Sequence, residues 1–240
     1  MRIGFFEEFP TRQNLGRLKL IDFPTFIIVA ANGIDEFYAL EEKIKSASSY
    51  VKDVFYWPVL PKEAGYWISP FSDGGALKRL FTSINSRSRK GRISVMLDME
   101  LPMLNKHLII KNLLNFCSSK KLIRDFIRNA EKRRISVYTA EYPAMSRITE
   151  IFYSFLGLSF NPNKLKHTKI AMLYTSYLQS TIAEQFIIRQ VGRGKKRYKN
   201  SFMAALGTIA KGVAGNEPIL QPERLKQDLK ILAGNGADKV

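Results

Sequence analysis

Short apolar segments alternate with longer amphipathic segments seven times along the 240 residues, which predicts an α/β fold. The apolar segments are apolar on both faces, as is typical of parallel strands covered on both sides. The chain also approaches the roughly 250 residues of an eightfold barrel. We therefore predict a (β/α)8 TIM barrel, one domain over residues 1–240, that is lacking or truncated at its eighth unit. An open, doubly wound sheet is the alternative.

Each predicted strand is a run of apolar, β-branched or aromatic residues that ends near a turn signal or a proline. In chain order the predicted strands are Ile3–Glu8, Thr25–Asn32, Val51–Trp57, Ile93–Glu100, Ile135–Glu141, Thr168–Thr175 and Phe202–Thr208. Helical spacing of apolar residues predicts the intervening helices. These cover 34–48, 76–86, 104–116, 120–133, 145–156, 181–191 and 223–232, with a short helical or turn segment at 11–21. After Gly236 the last residues are predicted to begin an eighth strand.

Composition and charge limit the classes of protein to be considered. The formal net charge is +17, so nucleic acid, an anionic membrane or another acidic partner is compatible with the chain. The single cysteine, Cys117, offers neither a disulfide framework nor a cysteine metal cage. The sequence shows no secretory leader and no apolar run of membrane-spanning length, so we expect a cytoplasmic protein.

Three predicted strands end in the same pattern, in which a glutamate is followed by one apolar residue and a proline. The three copies are Glu8-Phe9-Pro10, Glu100-Leu101-Pro102 and Glu141-Tyr142-Pro143. The carboxyl ends of barrel strands line the mouth in which active sites lie. The pattern therefore predicts a ring of carboxylates at one end of one sheet.

The fourth strand carries two acids, Asp98 and Glu100, which alternation places on the same inward face as Met96. Burying two acidic side chains inside a barrel costs free energy, so we expect them to have a functional role. Because the fifth strand is adjacent, we expect Glu141 to lie about one strand spacing, roughly 5 Å, from Glu100. Close carboxyls cannot both ionise easily, so one pKa should rise, which suits a general acid. One of these carboxyl groups is therefore the predicted general acid, and Glu141 or Glu8 supplies the counter-carboxylate.

The Asp-x-Glu at the end of an apolar fourth strand, with aromatic residues around the mouth, resembles the glycoside-hydrolase-like TIM barrels. In several of those families the Glu is the acid and the Asp assists it, so the resemblance implies these roles for Glu100 and Asp98 and implies hydrolysis of a glycosidic bond. Families with a second catalytic Glu at the seventh strand would require one near Thr208. Here Glu217 follows Thr208 by nine residues, in a predicted loop.

Aromatic residues cluster on or beside the long loop that follows the third strand. Trp57, Trp67, Tyr56 and Tyr66 could cover the apolar faces of a sugar while carboxylates bind its hydroxyls. Long irregular loops in compact domains are usually functional. We therefore predict a substrate-binding role for these four residues and for Asn32, at the end of the second strand. A loop folded down as a plug is the alternative.

Two alternatives remain for the function. The carboxylates of Glu8, Asp98, Glu100 and Glu141 could instead hold Mg²⁺ or Mn²⁺ for a reaction on a sugar or phosphodiester, since both ions prefer oxygen ligands. The main prediction needs no cofactor. A barrel without catalysis that binds a carbohydrate or an anion is the second alternative.

Basic residues concentrate in the turns that lead from a helix into a strand. These clusters lie at 87–92, 132–134, 164–169 and 193–199, on the face opposite the predicted carboxylates. No nucleic-acid-binding motif accompanies them, so we expect a small-molecule or oligosaccharide substrate and no nucleic-acid partner. An unclosed barrel edge would favour self-association by strand pairing.

Overall fold

The computed structural model describes residues 1–87 and 91–240, and there seven parallel strands follow one another in chain order around a curled sheet. The strands are β1 (Ile3–Glu7), β2 (Thr25–Ala31), β3 (Val51–Pro58), β4 (Ile93–Asp98), β5 (Ile135–Glu141), β6 (Thr168–Met172) and β7 (Phe202–Ala205). The helices are α1 (Arg12–Gly16), α2 (Ile34–Ala47), α3 (Gly74–Arg87), α4 (His107–Lys111), α5 (Phe116–Ala130), α6 (Arg147–Phe155), α7 (Ser180–Tyr198) and α8 (Pro222–Gly234). Residues 88–90 of the predicted basic segment before β4 lie outside this description.

An incipient eighth strand follows α8 and runs parallel to β1. The Arg2 N–H donates to the Asp238 carbonyl at 2.8 Å, and the Val240 N–H donates to the Arg2 carbonyl at 3.0 Å. The Gly4 N–H donates to the Val240 carbonyl at 2.7 Å, which extends the ladder. A small cavity of about 10 Å³ lies between this segment and β7. The predicted barrel with a truncated eighth unit is confirmed.

Strand alternation sorts the side chains of the sheet into two cores. Ile27 of β2, Val95 and Leu97 of β4 pack outward against the helices. Phe26 of β2 and Met96 of β4 face inward and fill the lumen with other apolar side chains. Because successive residues point to opposite faces, the side on which a residue lies depends on its position relative to these neighbours. This alternation decides which acids reach the mouth.

Stacked aromatic rings fill the lumen below the mouth. Phe26 stacks on Phe55 with ring centroids 5.2 Å apart, and Phe55 stacks on Tyr138 at 4.6 Å. Gly4 of β1 makes room for them, since a Cβ there would lie 2.2 Å from the Phe26 ring. The barrel interior is therefore a packed core below a mouth, as in other barrels of this architecture.

The described helices include none that is long and apolar enough to cross a membrane.

Candidate active site at the carboxyl ends of the strands

Asp98 and Glu100 lie where β4 ends, on the lumen side of the sheet. They follow the inward-facing Met96 at intervals of two residues, and both are almost completely buried. Pro102 follows two residues later and cannot continue a strand ladder as a donor. Local sequence thus places two carboxyl groups on one face at the mouth.

Two tyrosine hydroxyls hold the carboxyl group of Glu100. Tyr142 donates to Oε2 at 2.8 Å, and Tyr174 donates to Oε1 at 2.9 Å. The two rings lie 6.2 Å apart between centroids. Both tyrosines occupy the inward alternation of their strands, since Tyr142 follows Ala140 on β5 and Tyr174 follows Met172 beyond β6. Glu100 is therefore oriented on both oxygens by neighbouring strands.

Glu8 is held in a similar way from the other side of the mouth. Tyr66 donates its hydroxyl to Oε1 of Glu8 at 2.9 Å, and the Val213 N–H donates to Oε2 at 3.1 Å. Val213 belongs to the loop at 206–221 between β7 and α8, so this bond ties that loop across the mouth.

Tyr66 and Tyr174 both have positive φ, at 58° and 42°. Such conformations cost about 1–3 kcal/mol each in a residue other than glycine.

Glu217 adds a fourth acid from the same loop. Its Oε2 accepts the Gly212 N–H at 3.2 Å, and its Oε1 accepts the Ala214 N–H at 3.3 Å. Burial raises the pKa of Glu8 and of Glu100, and the negative charge of Glu217 raises both further. The loop therefore contributes charge to the mouth although it contains no strand.

Burial dominates the protonation of the mouth acids. It raises the pKa of Asp98 well above its ordinary value, and the charges of Glu100 and Glu8 raise it further. Oδ1 of Asp98 is buried and has no hydrogen-bond partner in the described part of the chain. Burial also raises the pKa of Glu100, but the hydrogen bonds from Tyr142 and Tyr174 oppose the change. Burial thus favours the protonated form of both acids, while the tyrosine hydroxyls favour the carboxylate of Glu100.

The tyrosines remain hydrogen-bond donors because their own ionisation is suppressed. Burial and the charge of Glu100 raise the pKa of Tyr142 and of Tyr174, and burial and Glu8 raise that of Tyr66. The mouth therefore combines neutral donors with carboxyl groups whose proton affinities differ, which is what general acid and base chemistry requires.

Glu141 does not join this group, because it lies on the opposite face of the sheet. The register pairs Asp98 with Ala140, and the Met99 N–H continues the ladder by donating to the Ala140 carbonyl at 2.9 Å. Glu141 is therefore level with Met99, which packs outward. The repeated pattern before proline is offset by one residue on β5, and a one-residue offset reverses the face.

Glu141 instead belongs to a buried polar cluster under the helices. Its Oε2 lies 2.8 Å from Nζ of Lys169, and its Oε1 accepts the Thr139 hydroxyl at 2.7 Å and the Phe160 N–H at 3.2 Å. Lys169 also donates to the Ser159 hydroxyl at 2.9 Å. These contacts give Glu141 a role in the fold.

Two of the predicted substrate-binding residues lie away from the mouth. Tyr56 faces the helices and stacks on Phe37 of α2, with ring centroids 5.0 Å apart. Asn32 is exposed, and its backbone N–H and side-chain amide donate to Oε2 of Glu36 at 2.8 and 3.2 Å. The structure does not bring either residue together with the mouth carboxylates.

The tryptophans lie on the lumen side. Trp57 is buried in the lumen core and meets Phe6 edge-on, with ring centroids 5.8 Å apart. Trp67 is partly exposed beside Tyr66, whose ring it meets edge-on at 5.5 Å. Of the two, Trp67 offers an accessible ring near a mouth carboxylate.

The loop between β3 and α3 folds down onto the barrel. The Ile68 N–H donates to the backbone carbonyl of Asp98 at 2.9 Å, and the side-chain amide of Asn112 donates to the Phe71 carbonyl at 2.9 Å. Most residues from 65 to 72 are buried. β3 and β4 pair in register only at Tyr56 and Val95. Closer to the mouth, this loop contacts the end of β4 in place of β3.

The mouth does not assemble the metal ligands of the alternative prediction. Both oxygens of Glu8 and of Glu100 accept hydrogen bonds from the protein, and Glu141 faces the helices. Within residues 1–87 and 91–240, no group of three or more His, Cys, Asp and Glu side chains could hold a metal ion. The side chains as arranged therefore do not fit Mg²⁺ or Mn²⁺.

Sequence reasoning did not identify Tyr142, Tyr174 and Glu217 as members of the site. The alternation of β5 and β6 contained the signal for both tyrosines, because each lies at an even interval from inward apolar residues. Glu217 had no comparable signal, since only the path of the loop at 206–221 returns it to the mouth.

Comparison with known proteins adds evidence on the fold. No protein-family model matches the chain, and no curated protein does. The glycoside hydrolase domain of PgaB (BpsB) from Bordetella bronchiseptica superposes with a TM-score of 0.59 at 12% identity, over 99% of this chain and 92% of that chain. A xylose isomerase domain protein from Planctomyces limnophilus superposes at 0.53 and 12% identity, over 99% and 88%. The predicted resemblance to glycoside-hydrolase-like barrels is thus confirmed for the fold.

Proposed function

We propose that this barrel acts on a carbohydrate and hydrolyses a glycosidic bond by acid/base catalysis at its mouth. The observation that carries the proposal is the buried pair of Asp98 and Glu100, which face the lumen with Glu100 oriented by two tyrosine hydroxyls. Hydrolysis of a glycosidic bond requires one carboxylic acid and one carboxylate beside the bond. The fold shared with a glycoside hydrolase domain supports the same substrate class.

In this proposal Glu100 is protonated when the substrate binds, since burial raises its pKa, and it donates this proton to the leaving-group oxygen as the glycosidic bond breaks. Glu100 takes this role because it lies two residues closer to the mouth than Asp98. Asp98 tunes this acid, because burial raises its own pKa and two buried carboxyl groups this close resist ionising together. Glu8 is the counter-carboxylate, since its charge is felt by Asp98 and its own oxygens are fixed by Tyr66 and Val213.

The aromatic residues at the mouth would bind the sugar rings. Trp67 and Tyr66 form an edge-on pair beside Glu8, and their apolar faces match the C–H faces of a sugar. The expected substrate is a small glycoside or an oligosaccharide, whose glycosidic bond would lie beside the acids at this end of the barrel.

The test measures the release of reducing ends from a panel of polysaccharides and of chromophore from aryl glycosides. Glu100→Gln should lower turnover by about 100-fold or more, the usual contribution of a positioned general acid or base. Each reaction is run with Mg²⁺, with Mn²⁺ and with EDTA, so that metal-dependent turnover would be recognised.

Glu7→Gln is the matched control for Glu8→Gln, because Glu7 is adjacent in sequence and bonds to Phe9 and Asn14 instead of to the mouth. Only Glu8→Gln should reduce turnover. Full activity of Glu100→Gln would refute the proposal. Saturable binding of a glycan without turnover would favour the alternative of a binding barrel.

A further inference from the structure

Helix α6 turns an apolar stripe toward solvent. Ile148, Ile151, Phe152 and Phe155 recur at the spacing that normally directs one helix face into a core. Here each of these side chains is between 54% and 79% exposed, and no residue of α6 is buried. The capping box at Ser146 shows that the helix begins at a well-formed end. The stripe is therefore a regular helix face that the described residues leave largely exposed.

The stripe continues onto the segment that joins α4 and α5. Leu113 is 57% exposed, and Leu114, at 98%, is the most exposed large apolar side chain among the described residues. Phe116 follows them and lies 6.3 Å from Phe155 between ring centroids, which connects the two elements. We call this surface the apolar ridge; it comprises Ile110, Leu113, Leu114, Ile148, Ile151, Phe152 and Phe155. Contiguous apolar surface of this kind marks an interaction site.

A basic groove of about 580 Å³ runs beside the apolar ridge, between α5, α6 and the segment before β6. The groove takes its charge from Lys120, Arg124, Arg128, Arg147, Lys164 and Arg197. Glu150 is the acid that lines it, and Glu150 already pairs with Arg197. Arg124, Arg147 and Lys164 form no ion pair with any acid in the part of the chain that the structure describes. The groove thus holds uncompensated positive charge.

The apolar ridge and the basic groove are parts of one surface. Ile151 contributes to both. Lys120 lies between them, with its Nζ 5.7 and 5.6 Å from the ring centroids of Phe116 and Phe155, and it donates to the Phe155 carbonyl at 2.6 Å. Burial and the neighbouring charge of Arg124 lower the pKa of Lys120. An anion bound here would reduce the electrostatic repulsion between these neighbouring cations.

We propose that the apolar ridge and the basic groove form a docking surface for an anionic lipid bilayer. The apolar ridge would enter the boundary between headgroups and acyl chains, and the groove cations would bind headgroup phosphates. A nucleic acid would satisfy the cations but would leave Ile148 and Phe152 uncovered. The formal net charge of +17 acts in the same direction, because it draws the whole protein toward a negative surface.

The test is sedimentation with vesicles of phosphatidylcholine alone and of phosphatidylcholine mixed with phosphatidylglycerol. The protein should bind the mixed vesicles, should bind the neutral ones at least about tenfold more weakly, and should dissociate as salt is added. The ridge variant carries Ile148→Ser, Phe152→Ser and Phe155→Ser, and the groove variant carries Arg124→Ser, Arg147→Ser and Lys164→Ser. Each should weaken binding by about tenfold or more.

The matched control removes the same charge elsewhere, through Lys43→Ser, Lys226→Ser and Lys230→Ser, all at exposed positions. It should retain most of the binding. An equal loss in the control and the groove variant would overturn the proposal, because net charge alone would then explain attraction. Equal binding to neutral vesicles would also overturn it, as would a dimer that the ridge variant disperses. Unchanged thermal melts of the exposed-site variants ensure that a loss reports docking and not unfolding.

Discussion

Replacing Glu141 with glutamine should destabilise the fold while leaving the mouth intact. The substitution keeps the shape of the side chain and removes its charge. Lys169, whose side chain is only 12% exposed, then loses the carboxylate that lies 2.8 Å from it. Removing one partner of a buried ion pair costs about 3–5 kcal/mol. Lys169 keeps its bond to Ser159 and its position over the Tyr198 ring, so we expect a value near the lower limit, about 3 kcal/mol.

Urea unfolding followed by circular dichroism measures this cost. With a slope of about 3 kcal/mol per molar urea, expected for a chain of this size, the midpoint should fall by about 1 M. Glu131→Gln is the matched control, because Glu131 pairs with Lys166 at the surface and should lose about 1 kcal/mol or less. The double variant Glu141→Gln with Lys169→Met should recover stability relative to Glu141→Gln.

Two results would refute this reasoning. A cost for Glu141→Gln no greater than that for Glu131→Gln would show that the ion pair is not buried as described. A double variant no more stable than Glu141→Gln would show that the unpaired charge of Lys169 is not the cause. A loss of turnover in Glu141→Gln that exceeds its loss of folded protein would return Glu141 to the candidate site.

Three further predictions concern the mouth and the lumen core of the barrel. Asp98→Asn should stabilise the protein increasingly in urea melts as the pH rises above about 4, because a folded pKa above the ordinary value makes ionisation oppose folding; a pH-independent difference would contradict this. Tyr174→Phe should move the pKa of Glu100 upward by about 1–2 units in the pH profile of turnover, since it removes a bond that favours the carboxylate; a downward shift would contradict this. Gly4→Ala should cost about 1–3 kcal/mol by thermal melting, because its methyl group would lie 2.2 Å from an aromatic ring, whereas Gly16→Ala has open space and should cost nothing.

The fold could be predicted because every strand–helix unit repeats the same signals. Strands apolar on both faces and helices with one apolar face can be satisfied together only by a sheet enclosed by helices. The lumen side of Asp98 and Glu100 followed from alternation within one strand, with Met96 as the inward reference. These inferences use local sequence alone.

The parts that could not be predicted depend on register between strands. Glu141 occupies the same place in its sequence pattern as Glu100, yet β5 is paired so that Tyr142 takes the inward position. Tyr56 and Trp57 are both aromatic, so the sequence could not indicate which one faces the lumen. The docking of the loop at 59–73 depends on contacts such as Ile68 with Asp98, which no local pattern encodes.

The hydrogen bond from the Ile68 N–H to the Asp98 carbonyl couples the position of the loop at 59–73 to the protonation of the Asp98 side chain. The loop that carries Ile68 helps to exclude water from Asp98, and that exclusion is the main cause of its raised pKa. If the loop lifts, water reaches the carboxyl group and its pKa falls toward the ordinary value. A lifted loop would therefore leave the proton of Asp98 less tightly bound. By linkage, a rise in pH would favour such a lifting, and the docked loop favours the protonated carboxyl group.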